Sequence, residues 1–183
     1  MRDTNVERII LLLGHLKKGE MDFFDEFYSL TKYQIYYSIL ALAKNNELAE
    51  DILAETYIKF LEKLDAINAK KNPLGYLLIT ARNLTLDYFK KENRVSYIED
   101  YTTEEEIGAS VSDEYDDSDR LLLRMQEILN ETEYEVVVLY ILSEMTHKEI
   151  AKQLKKPLGT ITWTYSNAIK KLQKGLSDYD PQR

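Results

Sequence analysis

Apolar residues recur at intervals of three and four along most of the chain, which is the period of an amphipathic α-helix. In the first half this pattern covers residues 6–16, 21–44, from about 47 to 64, and 73–91. In the second half it covers residues 121–130 and 133–142, a short helix that opens at Thr146, and a long helix that Pro157 opens and that runs to about residue 176. Because no stretch alternates convincingly with period two, the pattern predicts an all-α protein with essentially no sheet.

Local sequence signals mark several of these helix ends. Asn72 before Pro73 combines a good N-cap with the residue preferred in a first helical turn. Thr146 and Glu149 have the three-residue spacing of a capping box, in which each side chain accepts from the other's backbone donor. Lys155 stands in a turn where glycine would be easiest, and a positive φ there would cost ~1 kcal/mol.

A strongly acidic segment divides the chain. Residues 99–119 carry ten carboxylates and neither Lys nor Arg, so we divide the chain into an N-terminal module (residues 1–94), an acidic linker (95–119) and a C-terminal module (120–183). The N-terminal module has a net charge of zero and the C-terminal module one of +2, although the whole chain carries −8. The overall acidity therefore belongs to the linker and does not argue against nucleic-acid binding by the two modules.

Composition excludes several classes of protein. At 183 residues the chain has room for two small helical modules, and with no Cys it fits a reducing compartment. Its apolar runs are too short to cross a bilayer and no signal-peptide cleavage site follows the N-terminal one, so we expect a cytoplasmic protein without membrane insertion. His15 and His147 lack ligand spacing, and no phosphate loop or nucleophile motif is present. We therefore predict no metal, no cofactor and no enzymatic activity.

Residues 146–172 have the spacing of a helix-turn-helix. In its second helix Ile161, Ala168 and Leu172 share an apolar face with Tyr165, which leaves a polar face bearing Trp163 on the other side. A helix of this kind can read the major groove, although an ordinary helical hairpin with a solvated face, or a Trp163 folded into the core or bound to a partner, would show the same pattern. The candidate DNA-binding residues of this helix are Thr160, Thr162, Trp163, Ser166, Asn167, Lys170, Lys171 and Lys174.

Several segments together resemble the extracytoplasmic-function (ECF) sigma factors of bacterial RNA polymerase. These segments are residues 17–28, Ala49-Glu50-Asp51-Ile52 with Glu55, Ala81-Arg82-Asn83-Leu84 with Leu86-Asp87-Tyr88, Pro157-Leu158-Gly159-Thr160-Ile161, and Ala168-Ile169-Lys170-Lys171-Leu172. They run in the family's order and at its spacing over roughly residues 13–94 and 121–176. Each is weak alone, but the ordered set is specific.

The resemblance implies a role for each part of the chain. The N-terminal module would dock on the clamp of core RNA polymerase and open the −10 element, and the C-terminal module would bind the −35 element as duplex. The linker would thread between them through the polymerase, or else serve as a solubilising tether. Core RNA polymerase and promoter DNA are the expected partners. Members of this family often also have an anti-sigma factor, although no residue of this sequence identifies one.

The resemblance also implies promoter contacts from the fourth helix and the loop before it. Arg and Lys can take phosphates, whereas Asn can address base edges. Equally, Arg82 and Asp87 could pair within the helix, and the lysines at its end could be merely solvated. We expect Leu77, Ala81, Leu84 and Tyr88 to face inward. Arg82, Asn83, Leu86 and Lys90 should point outward. The candidate −10 residues are Lys70, Lys71, Asn72, Arg82, Asn83, Asp87, Lys90, Lys91 and Arg94.

Asp51 and Glu55 are the candidate polymerase-binding residues. As like charges at i and i+4 they oppose helix stability by ~0.2–0.5 kcal/mol, which a basic partner would relieve. The alternative is an ordinary solvated helix face.

The recognition helix departs from the family pattern. Thr162, Thr164, Ser166 and Asn167 stand where family members usually carry several basic residues, so the C-terminal module should bind DNA weakly alone. An alternative sigma factor is the function that we predict. A stand-alone helix-turn-helix regulator and a sigma-like adaptor with weakened DNA contacts remain the alternatives.

Overall fold

The computed structural model describes residues 4–68, 71–95 and 117–177. These ranges are helical and contain no strand, which confirms the predicted all-α fold. Two single 3₁₀ turns, Met21–Phe23 and Leu64–Ala66, accompany the α-helices. The helices are α1 (Thr4–Leu16), α2 (Phe24–Ala43), α3 (Asn46–Glu62), α4 (Pro73–Val95), α5 (Asp117–Ile128), α6 (Glu131–Ile141), α7 (His147–Leu154) and α8 (Leu158–Gly175).

Side-chain caps fix where several helices begin. The Asn72 side chain accepts from the backbone N–H of Leu74 at 3.0 Å, and Thr146 and Glu149 form the predicted capping box at the start of α7. A second capping box, between Asn130 and Glu133, opens α6. These bonds satisfy backbone donors that have no partner inside the helix.

The N-terminal module has its core between α1, α2, α3 and α4. Phe27 of α2 stacks on Phe60 of α3 with ring centroids 4.9 Å apart, and both side chains are fully buried. Beside them the Thr31 hydroxyl lies 2.6 Å from the phenol oxygen of Tyr57, so the buried polar atoms satisfy each other. Leu77 and Ala81 bring the inner face of α4 into this core, as predicted.

The C-terminal module packs α5, α6, α7 and α8 around apolar residues that are continuous with this core. Val136 and Val137 of α6, Ile150 of α7 and Ile161 of α8 are fully buried. This packing holds α7 and α8 as the two helices of the predicted helix-turn-helix.

The two modules are in contact. Helices α5 and α6 pack on α2, where the Gln126 amide donates to the backbone oxygen of Tyr37 at 2.6 Å. The Asn72 amide donates to the backbone oxygen of Leu142 at 2.8 Å. Gly75 of α4 lies so close to the α6–α7 loop that a Cβ there would sit 3.4 Å from Ser143 Cβ. The described parts of the two modules therefore pack against each other, and we call this the closed arrangement.

Some element bounds differ from the expectation. Helix α4 continues to Val95, beyond the predicted end at residue 91, and α5 begins at Asp117, inside the segment that we assigned to the linker. Residues 96–116, which hold most of the linker, lie outside the described residues. Within the described ranges, none of the helices combines the length and apolarity that crossing a membrane requires.

Candidate nucleic-acid interface

Helix α8 presents its predicted reading face to solvent. All eight candidate residues on this face are exposed except Asn167, which is half-buried. Trp163 is 67% exposed, so it does not fold back into the core. On the opposite side Ile161, Ala168 and Leu172 are buried, which fixes the rotation of the helix about its axis.

An aromatic cluster supports the first half of α8 from below. The Tyr165 ring lies 4.5 Å from the Tyr140 ring and 4.9 Å from the His147 ring, measured between centroids. His147 Nδ1 also lies 3.4 Å from the Thr162 hydroxyl. These contacts join α6, α7 and α8, so His147 contributes to the packing between these helices.

The lysines at the end of α8 are not equivalent. Lys171 Nζ lies 2.8 Å from the carboxylate of Glu133, whose side chain is only 8% exposed. Since Glu133 also accepts from the backbone N–H of Asn130, Lys171 neutralises a buried cap of α6. Among the described residues no ion pair forms to Lys170 or Lys174, and both are exposed. These two are therefore the lysines available to phosphates.

The candidate −10 residues of α4 divide into two groups. In the first, Asn83 and Lys91 are exposed, and Lys90 forms an exposed ion pair with Asp87 at 3.0 Å. Arg94 lies in the last turn of α4, and Lys70 lies outside the described residues. Asn83, Asp87, Lys90 and Lys91 thus form a polar strip that solvent can reach.

The second group faces the C-terminal module. Arg82 was expected to point into solvent, but its side chain is only 23% exposed and forms an ion pair with Glu135 of α6, which is 16% exposed. Lys71 lies 3.5 Å from the carboxylate of Glu149, and Asn72 is bonded to the α6–α7 loop. The expectation for Arg82 was wrong because the outer face of α4 meets a second module that helix periodicity cannot show.

The two carboxyl groups at this contact have pKa values shifted in opposite directions. Removal from water raises the pKa of the Glu135 carboxyl, and the nearby Arg82 and Lys156 only partly oppose that effect. The pKa of Glu149 is lowered instead, mainly because the backbone and hydroxyl of Thr146 donate to its carboxylate, with Lys71 adding to the effect. The modules thus meet through one mostly buried ion pair, Arg82–Glu135, and two exposed ion pairs, Lys71–Glu149 and Lys44–Glu131.

The candidate polymerase-binding residues lie on the exposed side of α3. Asp51 and Glu55 are both exposed, and Glu55 pairs with Lys59 at 3.4 Å, which offsets part of the expected repulsion. Tyr88 is 40% exposed, so its predicted inward orientation was wrong. The buried face of α4 still includes Thr85, and only after that residue does the helix pass the edge of the module core. Glu55 and Tyr88 line a groove of about 340 Å³ between α3 and α4.

Comparison with known proteins assigns a family to both modules. Residues 27–95 match the family Sigma-70 region 2, and residues 127–174 match the family Sigma-70, region 4. The chain is 26% identical to the ECF RNA polymerase sigma factor BldN of Streptomyces coelicolor, over 96% of this chain and 69% of that protein. It is also 26% identical to the ECF RNA polymerase sigma factor SigW of Bacillus subtilis, over 91% of this chain and 95% of that protein. The chain belongs to the ECF sigma factor family.

Solved structures share the fold of this ECF sigma factor. The sigma factor RpoE of Bartonella quintana, in complex with the anti-sigma factor NepR, superposes with a TM-score of 0.63 at 21% identity, covering 87% of this chain and 99% of that one. CnrH in complex with the cytosolic domain of CnrY gives a TM-score of 0.55 at 14% identity, covering 93% of this chain and 98% of that one. These two structures support the fold, and the two family matches with the ECF relatives confirm the recognition of an ECF sigma factor from its ordered motifs.

Family membership establishes the general function. This ECF sigma factor is an alternative sigma subunit that directs transcription initiation, and its partners are core RNA polymerase and promoter DNA. The two matched families fall on the two modules in the expected order.

Sequence reasoning missed that Glu135 of α6 meets the outer face of α4. Glu135 interrupts the apolar stretch of α6 directly before Val136, Val137 and Val138, and an acidic residue in such a place signals a specific cationic partner. Gly75 in the first turn of α4 was a second signal, since a missing side chain often marks close approach by another element.

Proposed function

We propose that this sigma factor reads its promoters with two separate surfaces, one on each module. The N-terminal surface comprises Asn83, Lys90 and Lys91 together with Arg82, and contacts the −10 element. The C-terminal surface is the exposed face of α8 around Trp163, which contacts the −35 element as duplex. The observation that carries this proposal is the exposure of Trp163 and Asn83, which have no role in the core.

The chemistry of the two surfaces suits different forms of DNA. On α4 the exposed lysines can neutralise phosphates of a strand while Asn83 addresses a base edge. On α8 the indole of Trp163 offers a large apolar surface for a thymine methyl group, and Lys170 and Lys174 can contact the flanking phosphates. Because few cations are available on α8, this surface should contribute less to affinity than an ordinary recognition helix.

The exposed side of α3 supplies the surface for core RNA polymerase. Asp51 and Glu55 would meet a basic surface on the polymerase clamp, with the α3–α4 groove beside them. The acidic linker would then follow the path between the two promoter elements through the polymerase. A polyanionic segment with few apolar residues suits a basic channel built for nucleic acid.

Two further statements belong to this proposal. The protein acts without catalytic activity of its own, as a specificity subunit, and it works in the cytoplasm, where its polymerase is found. We also extend to this chain the anti-sigma partnership of RpoE, whose structure contains the anti-sigma factor NepR. Such a partner would cover the groove of about 1400 Å³ that Trp163, Asn167 and Lys170 line opposite α2.

Run-off transcription tests this proposal. Purified bacterial core polymerase is combined with a pool of genomic promoter fragments, with and without this protein, and new discrete starts are expected only when it is present. Asn83→Ala and Trp163→Ala should each abolish those starts. Leu11→Ala, which truncates an exposed apolar residue on α1, is the matched control and should leave them unchanged.

A sigma-like adaptor is the second candidate function, since Lys171 pairs with Glu133 and leaves α8 with few cations for DNA. It predicts that the protein co-elutes with core polymerase while no start appears from any promoter fragment. A stand-alone helix-turn-helix regulator would instead bind duplex DNA without polymerase. Absence of core binding would exclude both the proposed function and the adaptor.

A further inference from the structure

A lysine in the turn after α1 holds the chain that leads into α4. Lys17 Nζ donates to the backbone oxygens of Leu64, Asp65 and Ile67, at 3.0, 2.7 and 2.6 Å respectively. An ammonium group has three N–H donors, so these three oxygens take up its full donor capacity. The bonded residues lie 47 to 50 positions further along the chain, so the contact joins two distant segments.

The end of α1 explains why Lys17 occupies this position. Gly19 has φ 84°, its N–H donates to the oxygen of Leu16 at 2.9 Å, and the N–H of Glu20 donates to the oxygen of His15 at 3.2 Å. This is the hydrogen-bond pattern of a Schellman motif, which ends a helix at a glycine with positive φ. Leu16 is also fully buried. The start of the Lys17 side chain is therefore fixed by the helix end on one side and by the core on the other.

The three oxygens that Lys17 contacts lie where the chain leaves α3. The 3₁₀ turn Leu64–Ala66 follows α3, and Ile67 then takes an extended conformation with its side chain buried. Carbonyl groups at the end of a helix lack partners within it and favour a nearby cation. Lys17 thus stabilises the point at which the chain turns from α3 toward α4.

The connection between α3 and α4 is also held at its other end. Asn72 caps α4 by accepting from the N–H of Leu74 at 3.0 Å, and the N–H of Lys71 donates to the oxygen of Asn68 at 3.1 Å. Lys71 and Asn72 are candidate −10 residues. Groups that are held in place before binding lose less conformational freedom when a DNA strand arrives. The Lys17 contact is therefore placed to prepare this connection for the strand.

The neighbouring Lys18 shows that charge alone does not account for Lys17. Lys18 belongs to the same turn and is exposed, and within the described ranges it forms no ion pair. A direct phosphate contact could come from such a free lysine. Lys17 has its three donors engaged by backbone oxygens instead, so any contribution that it makes to promoter binding is indirect.

We propose that Lys17 is a positioning residue for promoter opening, which holds the connection between α3 and α4 in the geometry that receives the opened −10 strand. This inference rests on the proposed function, because it takes the N-terminal module as the reader of the −10 element. Loss of the Lys17 ammonium leaves the exposed faces of α4 and α8 intact but frees the connection. Initial promoter binding is then preserved, and opening becomes slow.

The absence of Cys from the chain allows the ammonium group alone to be tested. Lys17→Cys introduces a single thiol, which is alkylated in denaturant before the protein is refolded. Reaction with 2-bromoethylamine gives a side chain with the length and charge of lysine, whereas 1-bromopropane gives one of the same length with a methyl group in place of the ammonium. Propylated Lys18→Cys is the matched control. Circular dichroism verifies that each protein has refolded.

The measurement uses holoenzyme assembled with core RNA polymerase on a promoter fragment that gives a run-off start with the wild-type protein. The time course of heparin-resistant complexes at several holoenzyme concentrations separates initial binding from the rate of opening. Propylated Lys17→Cys should open the promoter at least about tenfold more slowly with unchanged initial binding, since a displacement of about 1 Å can cost about 100-fold in rate. Aminoethylated Lys17→Cys and propylated Lys18→Cys should both open it at the wild-type rate.

Each other outcome overturns the positioning role. Equal opening rates for the two alkylated forms of Lys17→Cys would show that the ammonium is not needed. Equal slowing by propylated Lys18→Cys would assign the effect to positive charge near the DNA, and loss of the helical fold in propylated Lys17→Cys alone would assign Lys17 to the stability of the whole module. If the wild-type protein gives no start with core polymerase, the proposed function fails and the positioning role fails with it. A failure of the positioning role alone leaves the wild-type starts in place.

Discussion

At the scale of single residues, Lys155 shows a local cost that the sequence anticipated. It ends α7 with φ 53° and ψ 41°, in the left-handed region where a Cβ is unfavourable, and this confirms the positive φ considered for that turn. Its backbone N–H still bonds to α7, so the turn keeps its hydrogen bonds.

Replacing Lys155 with glycine, but not with alanine, should therefore relieve this local strain in the C-terminal module. We expect Lys155→Gly to raise the free energy of unfolding by about 1 kcal/mol relative to Lys155→Ala, because only glycine lacks the Cβ. The alanine variant controls for loss of the exposed ammonium. Urea unfolding followed by circular dichroism measures the difference, and equal midpoints for the two variants would contradict the assignment of strain.

Trp163, in contrast, is a large residue whose exposed side chain should matter for promoter binding and little for stability. Since its side chain is 67% exposed, Trp163→Ala should change the free energy of unfolding by less than about 0.5 kcal/mol. The same variant should lose run-off starts. Trp163 is also the one Trp of the chain, so its fluorescence reports directly on whatever covers α8. A large drop in Tm on truncation would show that the indole has a packing role instead.

At the scale of elements, the two neighbouring lysines of α8 should separate structure from DNA binding. Lys171→Ala leaves the buried Glu133 without its cation and should lower the free energy of unfolding by about 1–2 kcal/mol, a value reduced because Lys171 itself is half-exposed. Lys170→Ala should leave stability unchanged and instead reduce the salt dependence of promoter binding by about one ion. Equal effects of both variants on stability would refute the distinction.

Helix positions could be predicted from the sequence because each helix has an apolar face with period 3.6, and because caps such as Asn72 and Thr146 act locally. The exposed face of α8 followed from the same periodicity. The environment of Arg82 could not be predicted, since it depends on a contact with Glu135, 53 positions further along the chain. Tyr88 was misplaced for a related reason, as periodicity gives the direction of a side chain but not where the module core ends.

At the scale of the whole molecule, closure of the two modules should depend on pH through Glu135. Burial raises the pKa of this carboxyl in the closed state, despite Arg82 and Lys156, whereas in the open state water restores it toward its ordinary value. The closed state therefore binds a proton more tightly than the open state. This contribution to closure is fully present below the ordinary pKa and is lost as the pH rises through the raised pKa.

Lowering the pH from neutral into that window should accordingly bring the modules closer together. Because the chain has no Cys, the distance can be measured between fluorophores on cysteines introduced at the exposed positions Asp25 of α2 and Gln173 of α8. Glu135→Gln, which is neutral throughout, should be as closed at neutral pH as the wild-type protein becomes on acidification, and its distance should not change across the window. The Lys71–Glu149 pair acts in the opposite sense. The Thr146 cap lowers the pKa of Glu149 most and Lys71 adds to the effect, so protonation removes this pair only at more acidic pH. Closure should thus be strongest between the two transitions. If the distance in the wild-type protein followed the same pH course as the distance in Glu135→Gln, the pH dependence of closure would not belong to Glu135.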